Sequence, residues 1–169
     1  MLVEMIDLRS FSNLWYWIAL AVIWSSASHW VLGVPYDLVS RARHQGGAVQ
    51  EDLETLVRIN TARMLYYSRE RGPWLVGFIC FLATVLVLMG FVYRVEFAQA
   101  VLLLFLPLCV LGYLSLRSAL KIEAGEGQGE ALHRRLFYHR LSVQALGMVS
   151  IFVTSMYGMY VNAHLFVSH

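Results

Sequence analysis

Charge is what this chain has least of. Asp, Glu, Lys and Arg make up 14% of its 169 residues, against 59% hydrophobic residues, and the mean hydropathy is +0.59. Soluble domains carry about 25% charged residues, so a soluble domain of this size is excluded. Cysteine is nearly absent too. The only two, Cys80 and Cys109, both lie inside long apolar runs, whereas an iron–sulfur cluster takes about four Cys or His ligands. A thiol pair in that position is not expected to form a structural disulfide. No nucleophile with a base and an orienting group, no paired carboxylates and no zinc spacing is visible, so no enzyme is expected. A net charge of +2, with the basic residues confined to particular loops, argues against a nucleic-acid partner. The amino terminus, MLVEMIDLRS, lacks the basic leading region of a cleavable signal, so the first apolar run is expected to be retained.

What is there in quantity is uninterrupted apolar sequence. A hydrocarbon core about 30 Å thick takes roughly 20 helical residues, and four runs meet that length, at about 14–34, 73–93, 97–116 and 141–166. Backbone groups in lipid must be satisfied within each segment, which makes all four helices. The chain is therefore read as an all-α, polytopic membrane protein, a single integral membrane domain over 1–169 with four transmembrane helices. Only Arg94, Val95 and Glu96 separate the second and third spans, which predicts a tight antiparallel hairpin. With its turn between Arg94 and Val95, Cys80 and Cys109 fall at equal depth, and whether they face each other stays open. Pro107 predicts a kink in the third span.

Arginine and lysine set the orientation. Arg41, Arg43, Arg58, Arg63, Arg69 and Arg71 lie between the first two spans, and Arg117, Lys121, Arg134, Arg135 and Arg140 between the last two; only Arg9 and Arg94 lie on the other side. The positive-inside rule then puts both long loops, 36–71 and 117–140, in the cytoplasm and both termini in the periplasm of a bacterial inner membrane.

The loops carry structure of their own. YDLVSRARH after Pro35 reads as a short helix stopped at Gly46 and Gly47. A second helix from about Ala48 to Glu70 has acids in its first turns, basic residues later, and Leu53, Leu56, Val57, Asn60, Met64 and Tyr67 along one face. This amphipathic cytoplasmic helix is expected either to cover the end of the bundle or to dock a partner, with Gly72 and Pro73 breaking it from the second span. EAGEGQGEA, with Gly125, Gly127 and Gly129, reads as a flexible linker, too short and acidic for a phosphate-binding loop. From Glu130 the chain is expected to run as helix straight into the fourth span.

Two sets of residues are candidates for function. In the fourth span Gly147, Ser150, Thr154, Gly158 and Asn162 recur every three or four positions, and the first span offers Ser25, Ser28 and Gly33. Small and polar residues of this kind let helices approach and hydrogen-bond in lipid, so these are read as a helix-packing interface between the first and fourth spans. His29 and His139 lie near one membrane face and are the one histidine pair placed to bind a haem b; His164 lies at the other surface. No Asp, Glu, Lys or Arg falls inside a span, which weighs against ion-coupled transport.

The runs SFSNLWYWIALAVIWSSASHWVLGVPYDLV from Ser10 to Val39, VRIN from Val57 to Asn60 and GFVYRVEFAQAV from Gly90 to Val101 resemble a family of small inner-membrane proteins of alphaproteobacteria. Some of its members carry the label "component of SufBCD complex", which links them to iron–sulfur cluster assembly, although no residue motif stands behind the label. The resemblance implies the four-span topology and no activity. The preferred reading is an accessory or scaffolding subunit, with membrane lipids and other membrane subunits or a second copy as partners. An oligomeric transport or channel component and a haem-binding redox subunit using His29 and His139 are the alternatives.

Overall fold

The computed structural model describes residues 14–167. Five helices make up nearly all of it: α1 (Leu14–His29), α2 (Tyr36–Gln45), α3 (Gly47–Val87), α4 (Glu96–Lys121) and α5 (Gly129–Val167). Among the described residues the structure is all-α apart from one short hairpin of β1 (Trp30–Val31) and β2 (Val34–Pro35), paired antiparallel with Trp30 opposite Pro35. Three helical stretches are long and apolar enough to cross a membrane: α3 continued to Val92, α4 continued to Glu126, and α5 as far as Ala163.

The first apolar run does not continue as helix to Val34. It stops at His29, and Leu32 and Gly33 turn the chain back with φ of 52° and 77°. Two successive positive φ angles make the tight two-residue turn that suits a hairpin, and glycine reaches that region without strain. Pro35, with its fixed φ, then opens α2. Asn60 of α3 holds the turn from outside, donating from Nδ2 to the Gly33 carbonyl at 3.2 Å.

The break expected at Gly72 and Pro73 is also absent, because α3 runs through both as one helix of 41 residues. Proline removes a single hydrogen bond, to the carbonyl four residues back, here that of Arg69. At about 1.5 Å per residue α3 is roughly 60 Å long, twice a hydrocarbon core. All of its charged residues precede Pro73, and none lies from there onward. Beyond Val87 the helix widens into a π turn over Leu88–Val92, and Arg94 at φ 53° carries the chain into α4. Helices α3 and α4 lie side by side: Gln99 donates from Nε2 to the Gly90 carbonyl at 2.6 Å, and Arg69 meets Glu123 with N–O distances of 3.2 and 2.6 Å. Cys80 is exposed and Cys109 half-buried, both as free thiols.

Two apolar centres hold the chain together. One is a cap of Val31, Val34, Val39, Ala42, Leu53, Val57, Ile122, Leu132 and Leu136. It closes the hairpin, α2, the first half of α3, the end of α4 and the first turns of α5 onto each other. Leu53, Val57, Thr61 and Leu65 are the buried line of α3, one residue every four; of the amphipathic face seen in the sequence Leu53 and Val57 are buried, and Leu56, Asn60 and Met64 are half-buried beside them. Tyr67, placed on that face by spacing, is 52% exposed. The other centre joins Tyr16 of α1 to Ala100 of α4, with Trp17, Leu103, Tyr157 and Val161 packed around them.

The linker between α4 and α5 leaves helical geometry at Gly125, φ 133°, and is pinned despite its composition. Arg135 pairs with Glu126, and Glu54 of α3 accepts hydrogen bonds on Oε1 from the Gly129 backbone N–H at 2.9 Å and from Gln50 Nε2 at 2.7 Å. A carboxylate at the first N–H of a helix complements its dipole. As expected, α5 then continues from Gly129 into the last apolar run without interruption.

Candidate functional site: a polar seam between α1, α4 and α5

The buried residues of α1 are Tyr16, Leu20 and Trp24, spaced by four. Along α5, Gly147, Ser150, Thr154 and Gly158 are all buried, continuing a line that begins with Leu132, Leu136 and Val143. These two lines meet. A Cβ at Gly147 would lie 3.1 Å from Cε3 and 3.3 Å from Cδ2 of Trp24, so the indole occupies the space a side chain would take. One turn back, Gln144 donates from Nε2 to Ser28 Oγ at 3.4 Å. At the other end the Tyr16 hydroxyl donates to the Ala100 carbonyl at 3.0 Å and lies beside the Thr154 hydroxyl. The Tyr157 hydroxyl donates to Gln99 Oε1 at 3.0 Å. Gln99 thus ties α5 to the start of α4 with its oxygen and the end of α3 with its nitrogen.

Six of the eight residues read as a packing interface fall on or beside this seam. Gly147, Ser150, Thr154 and Gly158 are in it, Ser28 closes one end, and Asn162 is half-buried and engaged. Two do not belong. Ser25 is exposed, because one residue beyond Trp24 turns it about 100° off the buried line. Gly33 sits in the hairpin turn against Asn60 of α3, since α1 has already ended. What the residue pattern did not disclose is the aromatic side of the seam, Tyr16 and Trp24. The signal was the spacing of Tyr16, Leu20 and Trp24.

The histidines are drawn to different neighbours. His139 is 4% exposed, and its Nδ1 lies 3.1 Å from Ser118 Oγ of α4. A small cavity beside it is lined by α4 and α5 residues and none from α1. His29 is exposed and meets the Trp30 ring edge-on at 6.2 Å. The end of α1 is held at Gln144, on another side of α5 from His139, so the two imidazoles do not share a cavity and the arrangement does not fit a bis-histidine haem. His133 is separately engaged, Nε2 lying 2.8 Å from Gln50 Oε1. The His164 side chain lies outside the described residues. Among the described residues no group of three or more His, Cys, Asp and Glu side chains is placed to hold a metal ion.

The pinned linker gives the cap a pH dependence. The Gly129 N–H, with help from Gln50, holds the Glu54 carboxyl below the ordinary carboxylate value, and Arg135 does the same for Glu126. A carboxyl whose folded pKa is depressed stabilises the fold fully above its unfolded value, and that stability is lost as pH falls through the folded one. The thermal midpoint therefore falls as pH is lowered from 6 towards 3. Glu54→Gln has a lower midpoint at pH 6 and a shallower fall, whereas an unchanged slope in this variant would remove Glu54 as a source of the effect.

No protein-family model, curated protein or solved structure matches this chain.

Proposed function

We propose that this chain is a small accessory subunit of a bacterial inner-membrane protein complex and docks on its partner through the membrane segment of α3. In this reading there are four spans, α1 being the first. The second and third form the hairpin closed at Arg94. Both long loops, and with them the cap, lie in the cytoplasm and both termini in the periplasm, as the distribution of basic residues requires. Membership of the alphaproteobacterial family that the chain resembles belongs to the same proposal.

The observation that carries the reading is which faces are already used. The seam side of α1 and α5 is closed inside the chain, and the line of α3 through Leu53 and Val57 is buried in the cap, so neither is free for a partner. The apolar window of α3 is only 6% buried, against 17% for α4 and 28% for α5. On it Trp74, Phe78 and Phe81 are 85%, 62% and 66% exposed, around a shallow depression at Gly77. Small and aromatic residues side by side suit a second helix better than they suit lipid chains. The experiment is photo-crosslinking in native membranes, with a photoreactive residue at position 78 and, as the lipid-facing comparison, at Met148, which is 67% exposed on α5. A discrete protein adduct from position 78, absent from 148, is expected. Lipid adducts alone at both positions would overturn the proposal.

A further inference from the structure

Among the described residues, Arg140 is the one arginine or lysine that the fold half-buries without giving it an anion. It stands at the start of the last apolar run, one turn from Gln144, whose bond to Ser28 brings the end of α1 alongside. The guanidinium lies over the Tyr36 ring, 3.7 Å from its centroid, so one face of the ion is covered by the aromatic at the start of α2. Its Nε is shielded from solvent and has no hydrogen-bond acceptor. The ion pairs of the neighbouring basic residues have other owners: Arg43 faces Glu130, Arg69 faces Glu123 and Arg135 faces Glu126. No carboxylate among the described residues is within pairing reach of Arg140. With Nε enclosed and Tyr36 beneath the ion, the edge left to a ligand is that of the two Nη groups, which form a fixed fork. That fork matches the two oxygens of a phosphate.

The surroundings add the second half of the case. The hairpin next to Tyr36 exposes Trp30 at 54%, with His29 exposed beside it, and an amphipathic aromatic of this kind settles at the headgroup level of a bilayer. Helices α3 and α5 both pass from apolar to polar sequence at this end of the bundle. In the four-span reading proposed above, the charged edge of Arg140 sits at the depth where lipid phosphates lie.

We propose that Arg140, stacked on Tyr36 and flanked by Trp30 and His29, is a binding site for an anionic phosphate, supplied by the headgroup of an acidic membrane lipid. The site does not depend on which protein partner the chain has, or on whether it has one.

The test uses the full-length protein in a mild detergent. Thermal midpoints are measured with added phosphatidylglycerol, with phosphatidylcholine, and with inorganic phosphate alone, and lipid retention is followed by native mass spectrometry. Phosphatidylglycerol is expected to raise the midpoint and to bind at least tenfold more tightly than phosphatidylcholine. Arg140→Gln removes that preference, Arg140→Lys retains part of it, and Arg43→Gln leaves it unchanged. Stabilisation by inorganic phosphate equal to that by phosphatidylglycerol would overturn the lipid as the source, and an unchanged lipid preference in Arg140→Gln would overturn the site. If that variant does not fold, a photoactivatable phosphatidylglycerol on the wild-type protein decides. Adducts within the peptides around Trp30–Tyr36 and Arg140 support the site, and adducts confined elsewhere refute it.

Discussion

Gly147→Leu lowers the thermal midpoint of the detergent-solubilised protein by roughly 5–10 °C, the effect of about 2–3 kcal/mol of overpacking in a chain of this size. The added Cβ alone would come within 3.1 Å of the Trp24 ring, and the rest of a leucine has nowhere to go but into the indole. Trp24 is 6% exposed and cannot swing aside without opening the seam at Ser28 and Gln144 below it. Gly112→Leu on α4 is the matched control, since nothing lies within 4 Å of its Cβ position, and it leaves the midpoint unchanged. Equal stability of the two variants would mean that α1 is not seated on α5 as described. Trp24→Ala in the Gly147→Leu background separates the clash from a general intolerance, because it restores room for the leucine and recovers part of the loss.

Leu136→Ala is the second large effect, a loss of about 2–5 kcal/mol, because removing three buried carbons leaves a cavity that the surroundings fill only in part. Leu136, Leu132 and Leu53 are each 0% exposed at the centre of the cap. The readout is twofold. The thermal midpoint falls, and the linker between α4 and α5, which carries Glu123 and Glu126, becomes sensitive to a glutamate-specific protease. Linker cleavage follows because that segment is held by side chains of the cap itself, Glu54 on Gly129 and Arg135 on Glu126. Phe137→Ala, one position along and 48% exposed, changes neither. A resistant linker in Leu136→Ala would show that the cap is not held by this apolar centre.

The sequence was most legible where a face had a single explanation. Glycine, serine and threonine recurring at helical spacing within an apolar run make sense only against another helix, and Gly147, Ser150, Thr154 and Gly158 are buried accordingly. Leu53 and Val57 were recognisable for the same reason. Hydropathy was blind at Val31–Pro35, where apolar residues continue but the chain turns back; apolar character says nothing about φ, and the sign lay in Gly33 and Pro35. Local break signals misled at Gly72 and Pro73, because one missing hydrogen bond in a helix supported on both sides is too small a loss to end it. The partner of Gly147 was harder still. A gap on one helix names no residue on the next, and Trp24 is found only once the spacing of Tyr16, Leu20 and Trp24 is read as a buried line. The histidines show the reverse failure: counting along the spans puts His29 and His139 near one end of the bundle, but that count carries no information about which side of α5 each one meets.

The continuity of α3 through Pro73 has a mechanical consequence. The cap is mounted on helices that run on into their apolar halves without a joint, α3 at one side and α5 at the other, so it has no swivel of its own. Its distance from the apolar half of α3 is set by counting residues at about 1.5 Å each, and its heading by about 100° per residue. Adding a single residue between Glu70 and Pro73 would turn Leu53 and Val57 away from Leu132 and Leu136 unless the membrane half of the helix rotated instead. Any tilt imposed on α3 within the bilayer, by a neighbouring helix or by a change in thickness, arrives at the cap as a displacement. For a tilt of about 10° about Pro73, the end at Gly47 moves through roughly 7 Å.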